Sequence, residues 1–307
     1  MRDYAVHWKS QPTIKKGKNP LRYVILVVII VGVFWLGKNI LAAAGNPAKK
    51  ISVIMQPKNK ETLTKEIKEI IENGGGSYSI LAYRYKDGRS IEINESMQVT
   101  AASVNKIPIL ATLYAMASNG EIDIDRQVKL QEDDVQDYGT GSIRYDPIGT
   151  LYSLKTLARL MMEKSDNTAA HILGKIILKE DKVQEYVDSW GMTQTSMKDN
   201  KTSASDMKIL LSKIYDGEIA NPALSSEMLD FLHGSDFEDR IPQDLPTGTK
   251  VYHKTGDETG KIHDVGIVDI TDNTYYIGIL TIDMKDEKKT KKNIAKISQL
   301  IYDYMKD

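Results

Sequence analysis

Apolar residues crowd into one short stretch of the chain and then spread into helix-like and strand-like periods. Residues 23–37 carry no charge and are almost wholly apolar; after Lys38 and Asn39 the run resumes as Ile40-Leu41-Ala42-Ala43-Ala44. A bilayer core calls for about 20 such residues. Lys38 can snorkel and Trp35 suits an interface. Segment 23–44 is therefore expected to be an N-terminal transmembrane helix; the rival reading is a signal peptide cleaved after Ala42-Ala43-Ala44. Residues 45–61, with Gly45, Pro47, Pro57 and several lysines, read as a tether.

From residue 62 the pattern is that of a folded body, 62–307. Leu63, Ile67, Ile70 and Ile71 make the stripe of an amphipathic helix, stopped by Gly74-Gly75-Gly76. Strands are expected over 77–86 and 90–94, with Asp87-Gly88 as a two-residue hairpin turn. A helix should run from Ser103 to Asn119-Gly120, with an irregular first turn or a bend because Pro108 lacks an N–H. Residues 121–234 are mostly helical in pattern: 154–164, 167–178, 182–190, 204–215 and 225–233. The period then changes to strands at 251–253, 265–271 and 275–284, with Asp272-Asn273 as a turn. A last helix buries Ile294, Ile297, Leu300, Ile301 and Tyr304, and the charged run 285–292 is its solvated start. This order predicts an α/β fold of the α+β type. One antiparallel sheet is built from both ends of the body and flanked by the terminal helices, with an inserted all-α lobe and a cleft between them.

Charge adds a direction. The net charge is −1, yet residues 1–22 hold six Lys/Arg against Asp3; subtracting that +5 tip leaves about −6 on the rest. The tip is expected in the cytoplasm and the body outside it, as a single-pass membrane protein or, after cleavage, a secreted one. An acidic body excludes a nucleic-acid binder. Without cysteine there are no disulfides, thiolate catalysis or cysteine metal sites. The five histidines show no metal spacing, so neither metal nor cofactor is expected.

Candidate chemistry begins at Ser103-Val104-Asn105-Lys106. Positions i and i+3 share a helix face, so Lys106 can act on the Ser103 hydroxyl, a poor nucleophile until a base activates it. Such a pair arises by chance about once in a few hundred residues, and Ser205-Asp206-Met207-Lys208 is a second copy. Two further motifs decide between them: Ser165-Asp166-Asn167 at a helix junction, and Lys254-Thr255-Gly256 at the end of a predicted strand. The Ser205 pair falls after the Ser-Asp-Asn element and is expected to be a plain helix start capped by Ser205.

In that order, Ser103…Lys106, Ser165-Asp166-Asn167 and Lys254-Thr255-Gly256 resemble the motif set of the class A β-lactamases and penicillin-binding proteins. The flanks agree: 162–170 resembles the helix–turn–helix around the family's second serine, and 253–257 with 263–268 resembles its facing strand pair. The resemblance covers about residues 62–305. It implies that Ser103 attacks an amide carbonyl to form an acyl-enzyme, Lys106 is the base, and Ser165 passes a proton to the leaving nitrogen. Asn167 would hold Lys106 and the substrate amide, and Lys254 and Thr255 would bind a substrate carboxylate. Gly256 would let the substrate backbone lie close, and the N–H groups of Ser103 and Asp257 would form the oxyanion hole. Tyr138 is a candidate cleft wall. Asp166, His253 and His263 are read as structural, and Trp190 as core.

The sequence departs from that family at one place. Class A β-lactamases carry a Glu-x-x-Leu-Asn loop whose glutamate activates the deacylating water. Here residues 196–202 pass almost at once into the next helix, about 15 residues short of that loop. Asp199 is the nearest acid. Three readings follow: a hydrolase opening β-lactams or related amides, a penicillin-binding-protein-like peptidase acting on peptidoglycan peptides or trapped by β-lactams, and a non-catalytic wall-binding domain.

Overall fold

The computed structural model describes residues 59–307. The basic tip 1–22, the apolar span 23–44 and tether residues 45–58 lie outside them; among the described residues no helix is long and apolar enough to cross a membrane.

Helix α1 (Lys60–Gly74) starts at Asn59, whose side chain accepts from Thr62 N at 2.8 Å, and buries Leu63 and Ile67. Strands β1 (Ser77–Arg84) and β2 (Ser90–Ile93) follow as an antiparallel pair. Their connection spans 85–89 and is longer than the two-residue turn expected. Arg84 clamps Asp87 through Nε and Nη2 at 2.9 and 2.7 Å, and Gly88 takes φ +74°. That side-chain clamp closes the hairpin, so a tight turn is not needed.

Near the far end of the chain lie β7 (Lys250–Glu258), β8 (Lys261–Asp269) and β9 (Tyr275–Ile282). With the first pair they form a five-stranded antiparallel sheet in the order β2-β1-β9-β8-β7. The Lys254-Thr255-Gly256 motif sits inside β7, not at its end. The polar residues 255–258 carry little strand signal, but their pairing with 261–264 carries the strand on to Glu258. Along β9 the side chains alternate: Tyr276 and Leu280 enter one core, Tyr275, Ile277 and Ile279 another. A sheet buried on both faces explains its nearly continuous apolar strands.

The second core is closed by α1 and α8 (Glu287–Met305), which buries Ile294, Ile297, Leu300 and Ile301; Tyr304 is half-buried. The first belongs to the inserted lobe. Its helices are α2 (Lys106–Ser118), α3 (Leu154–Glu163), α4 (Asn167–His171), α5 (Glu180–Ser189), α6 (Ala204–Tyr215) and α7 (Pro222–His233). Two short strand pairs, β3 (Val99–Thr100) with β6 (Lys201–Thr202) and β4 (Gln127–Lys129) with β5 (Leu151–Ser153), tie its loops. α2 is apolar all round, with ten consecutive buried residues from Lys106 to Ala115, as befits the central helix of a lobe.

Three local expectations are refined. Pro108 is the third residue of α2, where an N–H would have no helical partner anyway, and the irregular turn falls just before it, at Ala102–Asn105. The helix expected over 167–178 winds wider after His171, as a π turn over Ile172–Ile177 that brings Gly174 against Ile109. Ser203, not Ser205, caps α6: its side chain accepts from Asp206 N at 3.1 Å. The cap lies one residue before the helix, and Ser205 lies within it. Trp190 packs half-buried against Tyr186 at the margin of the lobe core.

Candidate active site

The nucleophile candidate stands on a strained turn. Ser103 lies in the 3-10 turn Ala102–Asn105, entered through Ala102 at φ +48°. Three residues on, Lys106 opens α2, and its backbone N–H donates to Ser103 O. A left-handed alanine costs about 1–3 kcal/mol and persists only where its surroundings fix it. Here Ala101 N donates to Asn200 O at 2.8 Å, and Asn105 Nδ2 donates to Asn200 Oδ1 at 3.0 Å. On the sheet side β7 presses close. A Cβ built on Gly256 would stand 3.0 Å from Ala101 O and 3.1 Å from Val104 Cγ2. Gly256 therefore has a neighbour the sequence did not reveal: it makes room for the nucleophile turn.

His263 braces the same turn. Thr281 N donates to its Nδ1 at 3.0 Å, so Nε2 carries the proton and meets Thr100 O at 2.8 Å. Burial pushes its pKa down to about 4, consistent with this neutral imidazole. His253 is the opposite case. It is fully buried, and burial disfavours its charge, but Asp264 (Nδ1 to Oδ1, 2.8 Å) and Glu238 (Nε2 to Oε1, 3.3 Å) outweigh burial and raise it to about 9. In register His253 faces Gly266 and His263 faces Gly256, so the two do not pair with each other.

Lys106 is buried, and its Nζ lies 2.5 Å from Ser165 O, 3.1 Å from Ser165 Oγ and 2.7 Å from Asn167 Oδ1. Burial first, and the Lys254 cation second, hold its pKa well below the usual lysine range, against a smaller opposing pull from Asp166. The amine donates to all three: Ser165 O and Asn167 Oδ1 only accept, and Ser165 Oγ takes the third N–H.

Ser165 is held at φ +52° between α3 and α4. Its carbonyl also accepts from Thr140 Oγ1 at 2.8 Å. Asn167 opens α4 and donates through Nδ2 to Tyr138 O at 3.0 Å. Between them Asp166 is buried. It caps α4 by accepting from Ala169 N at 2.9 Å, and it accepts from Ser142 N (2.6 Å) and Ile143 N (2.9 Å) across the lobe. Its structural reading therefore has a concrete content: it pins the loop that carries Tyr138.

Lys254 and Thr255 are buried in β7. Lys254 Nζ donates to Thr255 O at 3.2 Å and lies 5.9 Å from the Phe237 ring centroid. Burial lowers its pKa to about 7; Asp264 opposes this and Arg240 adds to it. Asp257 is exposed, with both carboxylate oxygens on Arg240 Nη2 at 2.8 and 2.7 Å. Arg240 is fully buried and also donates to His263 O at 2.9 Å. Sequence reading missed Arg240, because an arginine in the polar segment Glu238-Asp239-Arg240 looks like any solvated side chain.

These elements enclose a cleft of about 600 Å³. Ser103, Lys106, Asn167, Tyr138 and Asp257 line it; Ser165, Lys254, Thr255 and Gly256 stand behind its wall. Tyr138 is 63% exposed, as a cleft-side aromatic should be. The carboxylates lining the cleft are all ion-paired: Asp257 to Arg240, Glu258 to Lys261 (2.7 Å) and Glu180 to Lys175. Asp199 is exposed, turned to Ser196 Oγ at 3.0 Å, and does not line the cleft. Among the described residues no cluster could hold a metal ion.

Comparison with known proteins points the same way. The model of the beta-lactamase enzyme family matches residues 62–305. Beta-lactamase VEB-1 of Pseudomonas aeruginosa is 20% identical over 281 residues, covering 82% of this chain and 93% of that protein. A structure of a PBP-A mutant in an acyl-enzyme complex with penicillin G aligns with TM-score 0.73 at 22% identity, covering 80% of this chain and 97% of that one. A β-lactamase from Chitinophaga pinensis aligns with TM-score 0.74 at 21% identity, covering 78% and 98%. With the family model spanning nearly the whole folded body, this chain belongs to the beta-lactamase enzyme family.

Proposed function

We propose that the protein is an acyl-serine hydrolase that opens β-lactam or related amide bonds through Ser103. The observation that carries this reading is Lys106: a buried lysine, three residues after Ser103, whose pKa burial and the Lys254 cation hold well below the usual lysine range, and which Ser165 and Asn167 hold in place. A turn of the amine aims its lone pair at Ser103 Oγ. Lys106 then takes the hydroxyl proton as Oγ bonds to the carbonyl carbon. The oxyanion is met by the N–H groups of Ser103 and Asp257, each worth about 3 kcal/mol in the transition state. As the C–N bond breaks, the proton passes from Lys106 through Ser165 Oγ to the leaving nitrogen. Asn167 steadies Lys106 and the substrate amide, and Lys254 and Thr255 form the wall behind them.

A second reading, a penicillin-binding-protein-like enzyme with slow deacylation, is favoured by the ion pairing of every carboxylate on the cleft wall. A carboxylate whose oxygens are already engaged by a cation is less free to orient the ester-cleaving water. In either case we place the body outside the cytoplasm, tethered by residues 23–44, on the strength of the basic tip and apolar run.

Rapid mixing of the full chain with a chromogenic β-lactam tests both. The expected result is a burst of one chromophore per chain, with a slow steady phase under the second reading and a fast one under the first. The absence of a burst and of turnover would contradict both. Repeating the burst across pH adds a further expectation. The Lys254 cation helps to keep Lys106 deprotonated, so its removal lets the Lys106 pKa rise. Lys254→Gln should therefore move the acid limb of the acylation rate to higher pH, whatever it does to the plateau.

A further inference from the structure

Resting on the acyl-serine reading, the Asp257–Arg240 pair carries an inference about which substrates the cleft accepts. Alternation along a strand sets Thr255 and Asp257 on one face of β7, and the Arg240 guanidinium lies against that face. Arg240 has no exposed surface of its own. Between it and the cleft stands the Asp257 carboxylate, 41% exposed and clasped through both oxygens. A guanidinium so placed would be a natural receiver for a substrate carboxylate, but the chain itself supplies the anion. Nor does Lys254 offer a replacement: it is fully buried, off the cleft lining, with its Nζ turned to Thr255 O. The next residue, Glu258, also borders the cleft, but its side chain leaves β7 on the opposite face and is paired to Lys261.

We propose that Asp257 is a specificity-determining residue that occupies the anion position beside Ser103, so that the enzyme prefers substrates whose group lying along β7 is uncharged or cationic over those bearing a carboxylate there. A carboxylated substrate would have to displace Asp257 from Arg240 or lie against its like charge, and juxtaposed like charges are the usual means of rejecting a wrong partner.

The test compares Ser103 acylation, followed by intact mass, with a penicillin as its free acid and as its methyl ester, in the full chain. Wild type should be labelled faster by the ester, by about tenfold or more. Asp257→Asn keeps the shape but removes the charge, leaving Arg240 Nη2 without its carboxylate while Nε stays paired to Asp239 at 3.1 Å, and should raise the acid-to-ester ratio of rates by about tenfold. Glu258→Gln removes the same charge without touching Arg240, and should move that ratio by less than about twofold. A wild-type preference for the acid, an unchanged ratio in Asp257→Asn, or an equal rise in Glu258→Gln would each overturn the proposal while leaving acylation at Ser103 intact. No labelling by either form would instead overturn the acyl-serine reading on which it rests.

Discussion

Replacing Lys106 with methionine is expected to slow acylation of Ser103 by about 10²–10⁴-fold, the usual worth of a positioned proton acceptor. Methionine keeps the length and apolar stem of the side chain, so the cost should fall on chemistry and much less on packing. The change strips Ser165 O and Asn167 Oδ1 of their shared donor. Ser165 O keeps its bond from Thr140 Oγ1, and Asn167 Oδ1 is half-buried at the cleft, so the lost bonds cost about 1 kcal/mol each at most, while the variant also removes an amine that burial already disfavours as a cation. These effects oppose one another, so unfolding should shift little while the burst with a chromogenic β-lactam nearly vanishes. Stopped-flow acylation beside a urea unfolding curve separates the two. A variant that acylates within tenfold of wild type would remove Lys106 from the role of base.

Asp166→Ala should produce the largest loss of stability among substitutions near the cleft, about 3–5 kcal/mol. One buried carboxylate accepts from Ser142 N, Ile143 N and Ala169 N. Alanine removes the cap of α4, worth about 1 kcal/mol, and leaves two further buried N–H groups without a partner. A Cβ on Gly141 would stand only 2.5 Å from the Asp166 carboxylate, so the loop has been fitted closely to it. The melting temperature should fall by about 10 °C. Activity should fall further than unfolding explains, because the freed loop carries Tyr138 O, the acceptor that orients Asn167. A variant that melts within about 2 °C of wild type would show that the three bonds are replaceable.

Much of this arrangement was legible in the amino-acid order. Alternating and helical periods placed the sheet at the two ends of the body and the helices between them, because each element buries one face in one of two cores. Two of the three short motifs meet at Lys106, Ser165 and Asn167, and the third, through Gly256, packs against the turn that carries Ser103. Other features depend on contacts far apart in sequence. Arg240 owes its place to Asp257 and the His263 carbonyl besides its pairing with the neighbouring Asp239, and the polar residues beside it in the chain do not foretell burial. The left-handed turns at Ala102 and Ser165 break the local preference of both residues and are held only by their surroundings. The course of β7 through its motif follows from pairing with β8. Such tertiary overrides gather at the site, where local rules are most often broken for function.

The central claim is that Ser103 carries the acyl group. Its most direct test is to treat the full chain with a β-lactam, digest it, and map the mass increment by peptide sequencing in wild type and Ser103→Ala. One increment equal to the whole β-lactam is expected on the peptide containing Ser103, and none in the variant. An increment on another residue, or one that survives in Ser103→Ala, would contradict it.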